Sequence, residues 1–66
     1  MFDQLTVRQR QILALVADGL SNDQIAAALR ISPATTKSHV KAIFARYGAT
    51  SRAQAVACGF RAGELR

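Results

Sequence analysis

Sixty-six residues suffice for one small domain with a single apolar core and leave little room for an interior pocket of ordinary ligand size, which weighs against an enzyme. Half the chain is apolar, Gly and Pro are few and placed singly, and nine Lys and Arg against four acids give +5; this disfavours disorder and points to a polyanionic partner. A lone Cys58 and a lone His39 assemble no disulfide, metal site or nucleophile–base pair, no apolar run can span a bilayer, and Met1-Phe2-Asp3 does not open like a signal peptide, so a cytoplasmic protein with no membrane partner, no metal and no cofactor is expected.

Thr6 with Gln9 three residues on is a capping box, and Gly19 is a left-handed terminator; a first helix is predicted from Val7 to about Asp18, burying Ile12, Leu13 and Val16. Leu20 packs under the turn. Ser21 with Gln24 is a second box, opening a short helix to about Leu29 with Ile25, Ala26 and Leu29 inward and Asp23 at the positive end of its dipole. Ser32 as cap and Pro33 as first helical residue, where a missing N–H costs nothing, begin a third helix that ends at Tyr47 before Gly48. Thr36, Val40, Ile43, Phe44 and Tyr47 share its packing face, and Ala34, Thr35, Lys37, Ser38, Lys41 and Ala45 lie on or beside the other. Ser51 with Gln54 is a third box for a last helix to about Ala62, closed by Gly63, with Val56 buried; Gly59 inside it reads as a flaw of about 1 kcal/mol relative to Ala.

The second and third helices are joined only by Arg30, Ile31 and Ser32, with Ile31 apolar enough to plug the corner. So short a connection imposes the steep crossing of a helix-turn-helix, here spanning about residues 22–47, and turns the third helix outward as a recognition helix. The fold class is therefore all-α, four helices. A helix fits the major groove of double-stranded DNA, where Lys37 and Lys41, one turn apart with Ser38 beside them, can donate to guanine O6 and N7 or to phosphate; these are the expected base contacts. Thr35 and the first-turn amides suit a phosphate oxygen, and Arg52 is placed to grip the same backbone from the start of the fourth helix. His39, on the shoulder of the third helix, suits either packing or phosphate.

Leu5-Thr6, Arg8, Arg10, Ile12-Leu13, Gly19-Leu20-Ser21-Asn22, Ile25-Ala26, Leu29, Ile31-Ser32, Thr35, Lys37, His39-Val40, Ile43-Phe44, Gly48 and Arg52-Ala53-Gln54-Ala55-Val56 together resemble the LuxR-type helix-turn-helix domain of bacterial transcription factors. On that resemblance residues 1–66 form one such domain. The resemblance implies sequence-specific control of transcription, as the C-terminal output of a larger regulator or as a small regulator on its own. It implies bases facing Lys37, Ser38 and Lys41, and phosphate contact or support of the recognition helix from Thr35, His39, Arg46 and Arg52. It further implies a homodimer on DNA through the fourth helix, with Ala53, Ala57, Cys58 and Phe60 as the available surface.

The chain departs from the pattern at Val7, Gln9 and Gln11, where the family has Pro and two glutamates, so a salt bridge from that helix lacks its acid. Thr36 replaces Val, Tyr47 replaces Leu, and Gly59 is expected to loosen the fourth helix. Two rival readings are weaker. A sigma-factor promoter-binding region shares the capped motif but does not require the Arg52 to Val56 segment. A protein-interaction module that pairs with and modulates a full-length regulator has no use for Lys37 and Lys41.

Overall fold

The computed structural model describes residues 4–65; Met1-Phe2-Asp3, read above for a leader, and Arg66 lie outside them. Four helices form: α1 (Val7–Ala17), α2 (Asn22–Leu29), α3 (Pro33–Tyr47) and α4 (Arg52–Arg61). Each begins at the predicted cap because a Ser or Thr oxygen there takes an amide that the first turn would leave unpaired. Thr6 Oγ1 accepts from Gln9 N at 3.1 Å while Gln9 Oε1 accepts from Thr6 N at 3.0 Å. Ser21 and Gln24 repeat the exchange at 3.2 and 2.8 Å.

The third box differs from expectation. Ser51 Oγ accepts from Gln54 N at 3.1 Å, but Gln54 Oε1 turns to Thr50, taking its N–H at 2.7 Å and its hydroxyl at 3.0 Å. Thr50 offers that oxygen two donors where Ser51 offers one.

Ile12, Leu13, Ile25 and Ile43 are almost wholly buried at the centre, joined by Val16, Val40 and Leu5. α3 packs on α1 and α2, and α4 packs on α1 and α3. Leu20 and Ile31 lean on this core from the turns on either side of α2, as expected of corner plugs. Leu29, Phe44 and Tyr47 are only half-buried at its edge.

On α4 the inward positions are Ala55 and Gly59, and Val56 stands half-buried beside them, a correction to the expected packing. The reason is close approach. A methyl built on Gly59 would lie 2.7 Å from Leu13 Cδ2 and 2.9 Å from Leu65 Cδ1, so only a residue without a side chain lets both leucines reach the helix. The Gly59 carbonyl also accepts from the amides of Glu64 (2.9 Å) and Leu65 (3.1 Å), folding the tail back over α1. There Glu64 meets Arg10 Nε at 3.4 Å. α1 thus carries an ion pair whose base is its own Arg10 and whose acid is supplied by the tail.

Tyr47 brings a hydroxyl that is buried with no hydrogen-bond partner among the described residues. Burial first, then the charges of Glu64 and Cys58, push its phenol above the usual tyrosine range. An acid whose folded pKa is raised stabilises the fold below its unfolded value, about 10, and loses that contribution as pH climbs through the folded value. Separately from its titration, the hydroxyl lacks a partner among the described residues, so Tyr47→Phe should stabilise the domain by about 1 kcal/mol at neutral pH by removing it. Its advantage should widen above pH ~10. Urea unfolding of both proteins at neutral and alkaline pH measures the difference, and an equal or lower stability of the Phe variant at both would contradict it.

Candidate nucleic-acid interface

The corner between α2 and α3 is built from three successive backbone states. Arg30 closes α2 in the left-handed conformation at φ 57°, Ile31 N returns to Ala26 O at 3.0 Å, and Ser32 extends to cap α3. Ile31 is thereby pinned against the core, and α3 leaves the corner with one face committed to packing. Thr36 at the centre of that face is fully buried, and its hydroxyl donates to Ser32 O at 3.3 Å. That bond is why a polar residue is tolerated at the centre of a packing face.

The other face of α3 is open. Ala34, Thr35, Lys37, Ser38 and Lys41 are all exposed, and His39 is half-buried at the boundary between the faces. Among the described residues, Lys37, Ser38 and Lys41 have no side-chain hydrogen bond or ion pair, the one salt bridge being Arg10 to Glu64. The first turn is less open than expected: Pro33 has no amide, Thr35 N is taken by Ser32 Oγ at 3.0 Å, and Ser32 Oγ in turn donates to Thr35 Oγ1 at 2.8 Å.

Two of the expected phosphate residues are engaged within the fold, Arg46 at its surface and Arg52 half-buried. Arg52 donates from Nη1 to Asn22 Oδ1 at 3.0 Å and from Nη2 to the Leu20 carbonyl. It thus bridges α4 to the entrance of α2, two helices whose backbones nowhere meet. Arg46 Nη1 donates to the Gln4 carbonyl at 3.2 Å and fastens the N-terminal segment to α3. In this geometry both arginines brace the motif. Neither engagement is visible in sequence, because each spans more than thirty residues and ends on a main-chain carbonyl.

Of the expected dimer residues, Ala53, Ala57 and Phe60 recur at helical spacing on the side of α4 away from Ala55 and Gly59, and all three are exposed, Phe60 to 51%. Cys58 does not join them. It is half-buried, accepts from Arg61 Nη2 at 3.4 Å, and turns towards a groove walled by Ala42, Ala45 and Arg46 of α3.

A model of the bacterial regulatory proteins of the LuxR family, named after GerE, matches residues 3–58. The chain belongs to the LuxR family. It is 46% identical over 55 residues to the probable transcriptional regulatory protein SgaR of Hyphomicrobium methylovorum, a match covering 83% of this chain and 26% of that protein. It is 39% identical over 61 residues to the response regulator protein VraR of Staphylococcus aureus, covering 92% of this chain and 29% of the relative. Among solved structures, the transcription factor GerE superposes with a TM-score of 0.87 at 34% identity, over 94% of this chain and 92% of that one. The response regulator ChrA of a heme-sensing two-component system superposes with a TM-score of 0.90 at 34% identity, over 97% of this chain and 32% of ChrA.

The chain thus spans between a quarter and a third of the length of these curated relatives. It is a LuxR-family helix-turn-helix DNA-binding domain of the kind that regulates transcription, and not an enzyme. Among the described residues, no helix of this LuxR-family domain is long and apolar enough to cross a membrane.

Proposed function

We propose that this LuxR-family domain recognises specific sequences in double-stranded DNA by laying α3 in the major groove, in the bacterial cytoplasm. It would serve as the output domain of a larger regulator or as a small regulator alone. The observation that carries the reading is the division of α3 into a buried face and an exposed face on which Lys37, Ser38 and Lys41 are uncommitted. Lys37, Ser38 and Lys41 reach base edges. Thr35 and His39 lie against phosphates, and Arg46 and Arg52 hold the helix at its angle through Gln4, Leu20 and Asn22.

A +5 module that neutralises several phosphates releases their counterions, so log K should fall with log salt by roughly 0.9 per phosphate contacted. Titrating a labelled duplex at several salt concentrations tests this. A flat dependence, or no binding to any duplex at low salt, would contradict the reading and favour a module that binds protein.

Pairing is proposed through the strip of Ala53, Ala57 and Phe60, with a second copy as partner and two half-sites about one helical turn apart. The strip is short. Three residues are far fewer than the roughly 20–30 a side of a standard interface, so the free domain should be a monomer or weak dimer, and binding to one duplex would supply the missing affinity through effective concentration. Ala57→Glu should remove cooperativity on a two-site duplex and leave single-site binding as in the parent. Unchanged cooperativity in a gel-shift titration would rule out α4 as the pairing surface.

A further inference from the structure

Arg30 sits at the corner of the helix-turn-helix in a conformation that arginine adopts at a cost. Four described residues have positive φ; three are the glycines at 19, 48 and 63, and the fourth is Arg30 at 57°. For a residue with a Cβ this region is unfavourable, and glycine is the ordinary occupant of a helix C-terminal closure. The backbone work done here, closing α2 and returning Ile31 N to Ala26 O, would be done as well by glycine.

Nothing among the described residues repays the arginine. Its side chain is exposed and makes no hydrogen bond or ion pair among the described residues. The contrast with the other arginines is direct. Arg10 holds Glu64, Arg46 holds the Gln4 carbonyl, Arg52 holds Leu20 and Asn22, and Arg61 donates to Cys58. Of the described arginines only Arg8 and Arg30 are unspent, and Arg30 alone stands in the corner that leads into α3, two residues before its cap.

We propose that Arg30 is a DNA-backbone contact, its guanidinium gripping a phosphodiester beside the groove that receives α3. This rests on the DNA-binding reading above. A guanidinium suits the task because its planar fork matches two phosphate oxygens and it stays charged at any physiological pH. It lies outside α3, so its contact is with the backbone and carries no sequence preference.

The discriminating variant is Arg30→Gly, which suits the backbone and removes the cation. Its thermal midpoint should equal or exceed the parent's, while its affinity for preferred and random duplexes alike should fall roughly three- to tenfold near 0.1 M salt, with a salt slope smaller by about one. Arg30→Lys should recover most of the affinity, and Arg8→Gln, which removes the same charge from α1, should leave the slope as in the parent. Full parental affinity and slope in Arg30→Gly would overturn the proposal and leave the DNA-binding reading standing. An equal loss of slope in Arg8→Gln would overturn it as an effect of bulk charge, and a loss confined to the preferred duplex would overturn the backbone assignment. Absence of binding by the parent to every duplex would remove both proposals together.

Discussion

Lys37→Ala and Lys41→Ala are each expected to weaken binding to the preferred duplex by about 1 to 3 kcal/mol, roughly five- to a hundred-and-fiftyfold, and to leave the unfolding midpoint where it is. Stability should not move because both side chains are exposed and neither has an intramolecular ion pair or hydrogen bond among the described residues. The size of the binding loss separates two chemistries. A lysine that only neutralises phosphate costs a similar factor on every sequence and lowers the salt slope by about one. One that donates to a base edge costs more on the preferred sequence than on a random duplex, because the mismatched base never rewarded it. Titrating each variant against both duplexes gives the answer, and equal losses on the two would reassign the lysines to the backbone.

Gly59→Val is expected to destabilise the domain by about 3 kcal/mol, a large share of what a domain this small can hold. The added Cβ would meet Leu13 Cδ2 at 2.7 Å and Leu65 Cδ1 at 2.9 Å. Leu65 is half-buried near the chain end and can swing away, but Leu13 is only 1% exposed and its neighbours leave it nowhere to go. Gly59→Ala sets two opposed effects against each other. Alanine gains about 1 kcal/mol of helix propensity. It also forces the same first contact, so its net effect should be a loss of about 1 kcal/mol. Denaturant unfolding of the two variants tests this, and an Ala variant more stable than the parent would return Gly59 to the status of a helix flaw.

Gly59 also marks the limit of what short-range sequence signals carry. Caps and terminators act within four residues, so Thr6, Ser21, Ser32 and Ser51 and the stops near Gly19, Gly48 and Gly63 are legible in the chain itself, and the helices begin where those signals place them. The split of α3 into packing and open faces follows from the same short-range periodicity. Effects that depend on distant partners are hidden. Gly59 reads as a weak helix residue because no local pattern brings Leu13 and Leu65 beside it. Arg52 reads as a phosphate grip because nothing in its own segment points to the Leu20 carbonyl. Cys58 follows Ala57 in the chain, yet one step along a helix turns a side chain by about 100 degrees, and that step carries it to the α3 side. The left-handed closure at Arg30 has no glycine to announce it.

Whether α3 reads DNA sequence is tested most directly by the backbone amide spectrum of the domain titrated with a duplex selected from a random pool. Selection should enrich a defined sequence, and the largest shift changes should fall on residues 34–41, with smaller ones at the corner around Arg30 and a core around Ile12 and Ile43 that stays put. Failure to enrich any sequence, or shift changes gathered on Ala53, Ala57 and Phe60 with α3 unaffected, would contradict sequence reading by α3.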